Sequence, residues 1–262
     1  MGQQPIRFTD GAAYERGMGA WSQLVGEVFL DWLAPQPGLR WIDVGCGNGA
    51  FTELVVQRCA PLETHGVDPS EAQIAFARTR PGAGTAAFGI GDAMALPFDA
   101  GQFDVAIMAL VLFFVPEPAK GVAEMTRVVG PKGMIAAYVW DIFGEGIPTS
   151  PIQTELLEFG IQPTHPPSAD ASRMEVLRSL WADAGLEAVE TRAITVHRSF
   201  PNFDAFWQAT TSIPTIGPNI LAMAPPDAEK LKARLRTRLP ADAAGRITYS
   251  ARAHAIKGRM PG

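Results

Sequence analysis

Only two cysteines, Cys46 and Cys59, occur in 262 residues. That is too few for a disulfide framework, and neither stands at a zinc-ligand spacing from a histidine. The chain also lacks a strongly basic stretch: its net charge is −5. The densest cluster of cations, "KLKARLRTR" at 230–238, has helical spacing and reads as the solvated face of a helix. Neither a nucleic acid nor an anionic membrane surface is therefore expected as a partner. Long apolar runs are missing too, the longest being Val105 to Val115, too short to cross a bilayer. The opening "MGQQPIRFTDG" has no basic start leading into an apolar core, and Ile6 stands where a myristoylation pattern wants Ser or Thr. A reducing, cytoplasmic location is the expectation, for a monomer or a homodimer.

What is present is 47% apolar residues and 19% charged ones, a globular balance. Residues 18–33 repeat apolar side chains at helical spacing. From residue 39 short apolar runs alternate with helical stretches: "LRWIDV", "THGVD", "TAAFGIG", "QFDVAIMALV" and "GMIAAYVW" as strands, with helices between them. Such alternation predicts a parallel sheet with helices on both faces. Residues 1–38 form a helical N-terminal cover, and 39–262 the α/β domain. Two insertions interrupt the domain. Residues 141–170 are rich in Pro and Gly and read as a loop or lid; 199–245 is too long for a bare connection and should contain helices of its own. Gly185 is placed to stop the helix before it, and "ITYSARAHAIKG" at 247–258 reads as the last strand.

The stretch "RWIDVGCGNGAFTELVV", 40–56, packs Gly45, Gly47 and Gly49 between a strand and a helix. A strand, a glycine turn and a helix start make a place where backbone can approach a ligand closely, at the carboxyl edge of a sheet. Tight packing alone is the other reading of the same glycines. Asp68 ends the second strand and can accept both hydroxyls of a ribose diol, a feature shared by NAD and S-adenosylmethionine. It could equally cap the helix that follows. Asp92, in "GDAMALPF", could accept from an adenine amine or simply stabilise a turn.

"DVGCGNG", "GVDPSEAQIAFAR", "GDAMALPF" and "FDVAIMALVLFFVPEPAKGVAEMTRVVGPKGMIAAYVWD" together resemble the successive motifs of class I S-adenosylmethionine-dependent methyltransferases. The likeness is greatest to the small-molecule group that includes the ubiquinone/menaquinone C-methyltransferases, and it covers residues 40–141. It implies a Rossmann-like seven-stranded sheet, mostly parallel, with an antiparallel last strand at 247–258. It further implies that Gly45, Cys46, Gly47 and Gly49 border the methionine moiety of the cofactor and that Asp68 holds the ribose. Pro69 and Ile74 would lie near the adenine, Asp92 and Ala93 at its amine, and Ala109 and Leu110 near the amino group. "AAYERGMGAWS", 12–22, resembles the N-terminal cover of one branch, in which Tyr14, Met18 and Trp21 close over the methionine end; Ala20 stands where branch members carry Arg. Core packing is the other reading of Met18 and Trp21.

Methyl transfer from a sulfonium relies on orientation and exclusion of water, and a base is optional. Leu112, Phe113 and Phe114 replace the "LHH" of many relatives. The candidate bases are His165, His197, Tyr14 and Asp141; Arg173 and Arg198 could anchor an acceptor carboxylate. Cys46 at a helix start invites a nucleophile reading, but a small buried hydrophobe is the better expectation. The aromatic rings of Phe200, Phe203, Phe206 and Trp207 suggest a cap over an apolar or aromatic small-molecule acceptor. Two alternatives stand beside this: an NAD-dependent oxidoreductase, which none of the three tyrosines supports by a Lys four residues on, and a protein that binds S-adenosylmethionine without turnover.

Overall fold

The computed structural model describes residues 15–213, 215–239 and 241–262. The apolar runs become the strands of one seven-stranded sheet: β1 (Arg40–Val44), β2 (Glu63–Asp68), β3 (Ala87–Ile90), β4 (Phe103–Ala109), β5 (Val129–Trp140), β6 (Glu187–Phe200) and β7 (Ile247–Arg259). Their spatial order is β3-β2-β1-β4-β5-β7-β6. β1 pairs in parallel with both β2 and β4, whereas β7 runs antiparallel to both β5 and β6. The alternating sheet and its antiparallel last strand are as expected from the sequence.

The chain steps outward from β1 to β3, then returns to the centre for β4 and β5. Right-handed crossovers therefore place α2 (Ala50–Cys59) and α3 (Glu71–Ala77) on one face and α4 (Pro118–Val128) on the other. α1 (Ala20–Leu33) joins α2, and α6 (Met174–Asp183) joins α4. Both faces of the central strands are thus covered, which is why Ile42, Val44, Ala106, Ile107, Ala136 and Ala137 are buried with no polar alternation. Phe29 of α1 and Phe51 of α2 meet Tyr138 of β5 at ring separations of 4.7 and 5.7 Å. Trp181 of α6 is fully buried and donates its indole N–H to the Ile135 carbonyl at 3.1 Å. Gly185, at φ 73°, does stop α6: its N–H reaches the Ala182 carbonyl and the Leu186 N–H reaches Trp181.

Residues 141–170 are not all loop. They hold α5 (Ser150–Leu157), whose Pro151 stands in the first turn, where a missing N–H breaks no helical bond. The second insertion carries the helices expected of it: α7 (Phe203–Thr211), α8 (Gly217–Leu221) and α9 (Pro225–Arg238). The cations of α9 are not merely solvated. Lys232 lies over Trp207, Arg236 over Phe203 and Lys230 over Phe159, while Arg234 and Arg238 reach Glu155 of α5. Helical spacing predicts only that these cations leave the core; it does not predict that two lid segments lie under them. The cap rings pack on one another in turn. Phe200 and Phe206 are buried and meet at 5.6 Å, and both touch Tyr249.

The sheet proper ends where Trp140 of β5 pairs with Ala253. Past that row β6 and β7 continue alone as a two-stranded ribbon, from Thr195↔Arg252 to Phe200↔Ile247, standing above the carboxyl edge of the sheet.

Candidate functional site

The bend between β1 and α2 is held from beneath by the Val67 carbonyl, which accepts from the N–H groups of Gly45 (2.7 Å) and Cys46 (2.9 Å). From the side, Arg80 donates to the Asn48 carbonyl at 2.6 Å and pairs with Glu53 at 2.8 Å, bracing the start of α2. The three glycines then have different reasons. A Cβ on Gly45 would stand 2.5 Å from Val111 Cγ1, so this position is kept clear for a neighbouring side chain; one on Gly49 would press on Ala77 and Phe88 at 3.0–3.1 Å. Only at Gly47, φ 52°, would a Cβ meet nothing within 4 Å. Packing therefore accounts for the outer two glycines, and the middle one faces open space.

Asp68 closes the arrangement. Its Oδ2 accepts the Gly47 N–H at 3.0 Å and its Oδ1 the Ser70 N–H at 2.9 Å. The cap of α3 is Ser70, whose hydroxyl accepts from Gln73, so Asp68 is released from that duty and bonds the glycine bend instead. Burial pushes its carboxyl above the usual range, with the two backbone donors opposing. Each oxygen has a lone pair left for a diol. Asp92, exposed after β3, spends Oδ1 on the Met94 N–H at 2.8 Å, a turn role that leaves its second oxygen available. Ile74 is buried beside this edge, Pro69 is exposed and Ala93 is half-buried. Leu110, directly after β4, has φ 64°, an uncommon conformation for a branched residue, fixed by its N–H bond to the Tyr138 carbonyl at 2.8 Å. Ala109 is half-buried next to it, and Met18 packs against the core near Trp21, which is 1% exposed and a core residue. Tyr14 lies outside the described residues.

One group here has no counterpart among the residues expected from the sequence. Asp43, on β1 below the bend, is 3% exposed; Oδ2 accepts from the Thr52 hydroxyl at 2.6 Å and Oδ1 has no partner among the described residues. Burial, relieved in part by Thr52 and reinforced by Asp68, pushes its carboxyl up to about 7. An acid in a buried strand just before a glycine bend was the available signal. Cys46 is buried and its thiol is pushed well above the ordinary value by burial and the nearby carboxylates, which suits a hydrophobe and not a nucleophile.

Residues 42–137 match the family model for a methyltransferase domain. Over those residues the chain is similar to a methyltransferase domain. The chain is 31% identical over 121 residues to the ubiquinone/menaquinone biosynthesis C-methyltransferase of Cereibacter sphaeroides, a match taking in 45% of this chain and 48% of that protein. It thus spans about half the length of such relatives. It is also 27% identical over 201 residues to the malonyl-[acyl-carrier protein] O-methyltransferase of Methylococcus capsulatus, with 75% of this chain and 70% of that one covered. In fold it resembles Haemonchus contortus phosphoethanolamine N-methyltransferase 2, solved with S-adenosylhomocysteine, at TM-score 0.58 and 17% identity, over 95% of this chain and 57% of that one.

Among the described residues the candidate bases are not gathered at the glycine bend. Asp141 is buried and bound to Arg252 at 2.7 Å and to the Gly144 N–H at 2.9 Å. His254 stands 3.6 Å from it and donates Nδ1–H to the Ser172 carbonyl. His197 is exposed on the outer face of the ribbon, opposite Ser250. His165 is exposed and stacks on Phe143, whose ring also carries Arg173. His65 pairs with Glu63 and packs edge-on against Phe98 and Phe103, away from the bend. Among the described residues no group of three His, Cys, Asp or Glu is placed to hold a metal, and no helix is long and apolar enough to cross a membrane.

Two measurements follow. Gly45→Ala combines a left-handed φ with the Val111 clash and should lower unfolding stability by about 2–4 kcal/mol, whereas Gly47→Ala should lose only about 1 kcal/mol; denaturant melts compare them, and equal losses would contradict the division of roles. For Asp43 the folded pKa lies above the unfolded one. The folded state therefore holds the extra proton, and stability from this group falls as pH rises from about 4 through about 7. Asp43→Asn should gain stability relative to the parent between pH 5 and pH 8, and parallel pH profiles would refute the raised value.

Proposed function

We propose that this chain transfers a methyl group from S-adenosylmethionine to a small-molecule acceptor with an apolar or aromatic body. The observation that carries the reading is the open space at Gly47, held by the same carboxylate, Asp68, that can take a ribose diol. The residues fit an adenosyl ligand. A backbone cradle without side chains suits the methionine arm, Asp68 suits the sugar and the second oxygen of Asp92 suits the adenine amine.

The strand order supports this ligand over NAD. A dinucleotide fold runs 3-2-1-4-5-6, whereas here an antiparallel β7 is inserted between β5 and β6. The sulfonium supplies an electrophilic methyl carbon, and the acceptor's lone pair displaces the sulfur, whose C–S electrons stay on the departing thioether. The work of the protein is to orient and to exclude water. The described part of the N-terminal segment, from residue 15 to 38, and the insertions at about 141–170 and 199–245 would enclose the reacting pair. From Leu110 to Pro116 the chain above β4 offers no ionisable side chain, which supports an apolar acceptor body. The acceptor's lone pair would attack the methyl carbon directly, and any proton the acceptor carries would pass to solvent after transfer, since Asp141, His165 and His197 are committed elsewhere.

Calorimetry tests the reading. S-adenosylhomocysteine should bind and NADH should not. Asp68→Ala should weaken the former by roughly ten- to a hundred-fold, the loss of a charged hydrogen bond worth about 1.5–3 kcal/mol. Unchanged affinity, or uptake of NADH instead, would overturn it.

A further inference from the structure

Arg198 lies on the inner face of the ribbon, between the buried Val196 and Phe200 and opposite Tyr249. It is four residues past Ile194, the partner of Ala253 in the last full row of the sheet, and so stands about 13 Å above the carboxyl edge. Doubly wound sheets bind their ligands on that side. Three segments converge on it. Its Nη1 donates to the Gly17 carbonyl, in the turn entering α1, at 3.0 Å. Its guanidinium lies 4.5 Å from the Phe200 ring and 6.0 Å from Trp21. Tyr249, beside it, reaches the lid by donating to the Pro148 carbonyl at 3.0 Å.

Among the described residues Arg198 has no carboxylate partner. The contrast with its fellows is clear: Arg40, Arg58, Arg127 and Arg234 each rest on an acid that holds their charge in place. Arg198 is instead pushed below the ordinary value by burial. A half-buried cation without a counter-ion is costly unless something anionic completes it. The bond to Gly17 uses Nη1 alone. Nε and Nη2 remain, and these form the side-on fork that accepts a carboxylate in two parallel hydrogen bonds. Partial burial beside the Phe200 and Trp21 rings lowers the local dielectric and so strengthens such a pair.

We propose that Arg198 is the anion-binding residue of the acceptor site and that the acceptor carries a carboxylate, held by this fork while its apolar body extends toward the end of β4. This deepens the transferase reading and rests on it.

The test uses the full chain saturated with S-adenosylhomocysteine and matched probes: 4-hydroxybenzoate with 4-hydroxybenzamide, 3-phenylpropanoate with its amide, and phenyl phosphate. Ligand-observed NMR reads the affinities. At least one acid should bind ten-fold or more tightly than its amide, and in Arg198→Gln that preference should fall to within two-fold while S-adenosylhomocysteine affinity stays within two-fold. Absence of any acid preference, its survival in the variant, or phenyl phosphate out-binding every acid ten-fold would overturn the assignment. If Arg198→Gln fails to fold by circular dichroism, Arg198→Lys keeps the charge without the fork and should lose at least three-fold of the preference. Should the parent chain not bind S-adenosylhomocysteine at all, the transferase reading fails first, a result distinct from any of these.

Discussion

A single carboxylate sets the geometry on which everything at this sheet edge depends. Asp68 accepts one N–H from the glycine bend after β1 and one from the turn into α3. It thereby ties the ends of two neighbouring strands into one rigid lip. A backbone bend with a left-handed residue at its centre has little to hold it in place on its own. With Val67 beneath, Arg80 at the flank and Asp68 at the front, the bend around Gly47 is fixed in an open shape before any ligand arrives. Such preorganisation means that a ligand's binding energy is not spent on ordering the loop.

The same edge concentrates ionisable groups in a dry place. Asp43 and Asp68 both have carboxyls raised by burial, and each raises the thiol of Cys46. Carboxylates desolvated together in this way favour a cationic neighbour. A sulfonium with an ammonium group at its other end is a ligand of that kind. The two insertions have the opposite character: the cations of α9 rest on rings and on Glu155, contacts that salt and sequence changes can tune without touching the bend.

Much of this was legible in the amino-acid order, and the parts that were not have physical reasons. The strands of the central sheet are apolar on both faces, so their runs stand out, and Gly185 and the final strand fall where turn chemistry and periodicity put them. Asp68 is recognisable because a strand end is the one place where a carboxylate can reach both the bend and a ligand. The roles of Gly45 and Gly49, by contrast, depend on Val111, Ala77 and Phe88, residues far away in sequence whose approach no local pattern reveals. α5 is hidden in the sequence because a proline marks a loop as readily as it marks the first turn of a helix, where Pro151 stands. The cap aromatics looked like a ligand surface, but Phe200 and Phe206 form the core of the cap. Arg173 and Arg198 read alike in the sequence as carboxylate anchors, and only the register of β6 and β7 sets Arg198 apart by putting it on the buried face.

The most direct measurement is a crystal structure of the chain with S-adenosylhomocysteine. The account predicts the amino-acid arm of the ligand along the backbone of Gly45–Gly47 and both ribose hydroxyls within about 2.6–3.2 Å of the Asp68 oxygens. A ligand seated elsewhere, or a sugar turned away from Asp68 with the bend unoccupied, would contradict it.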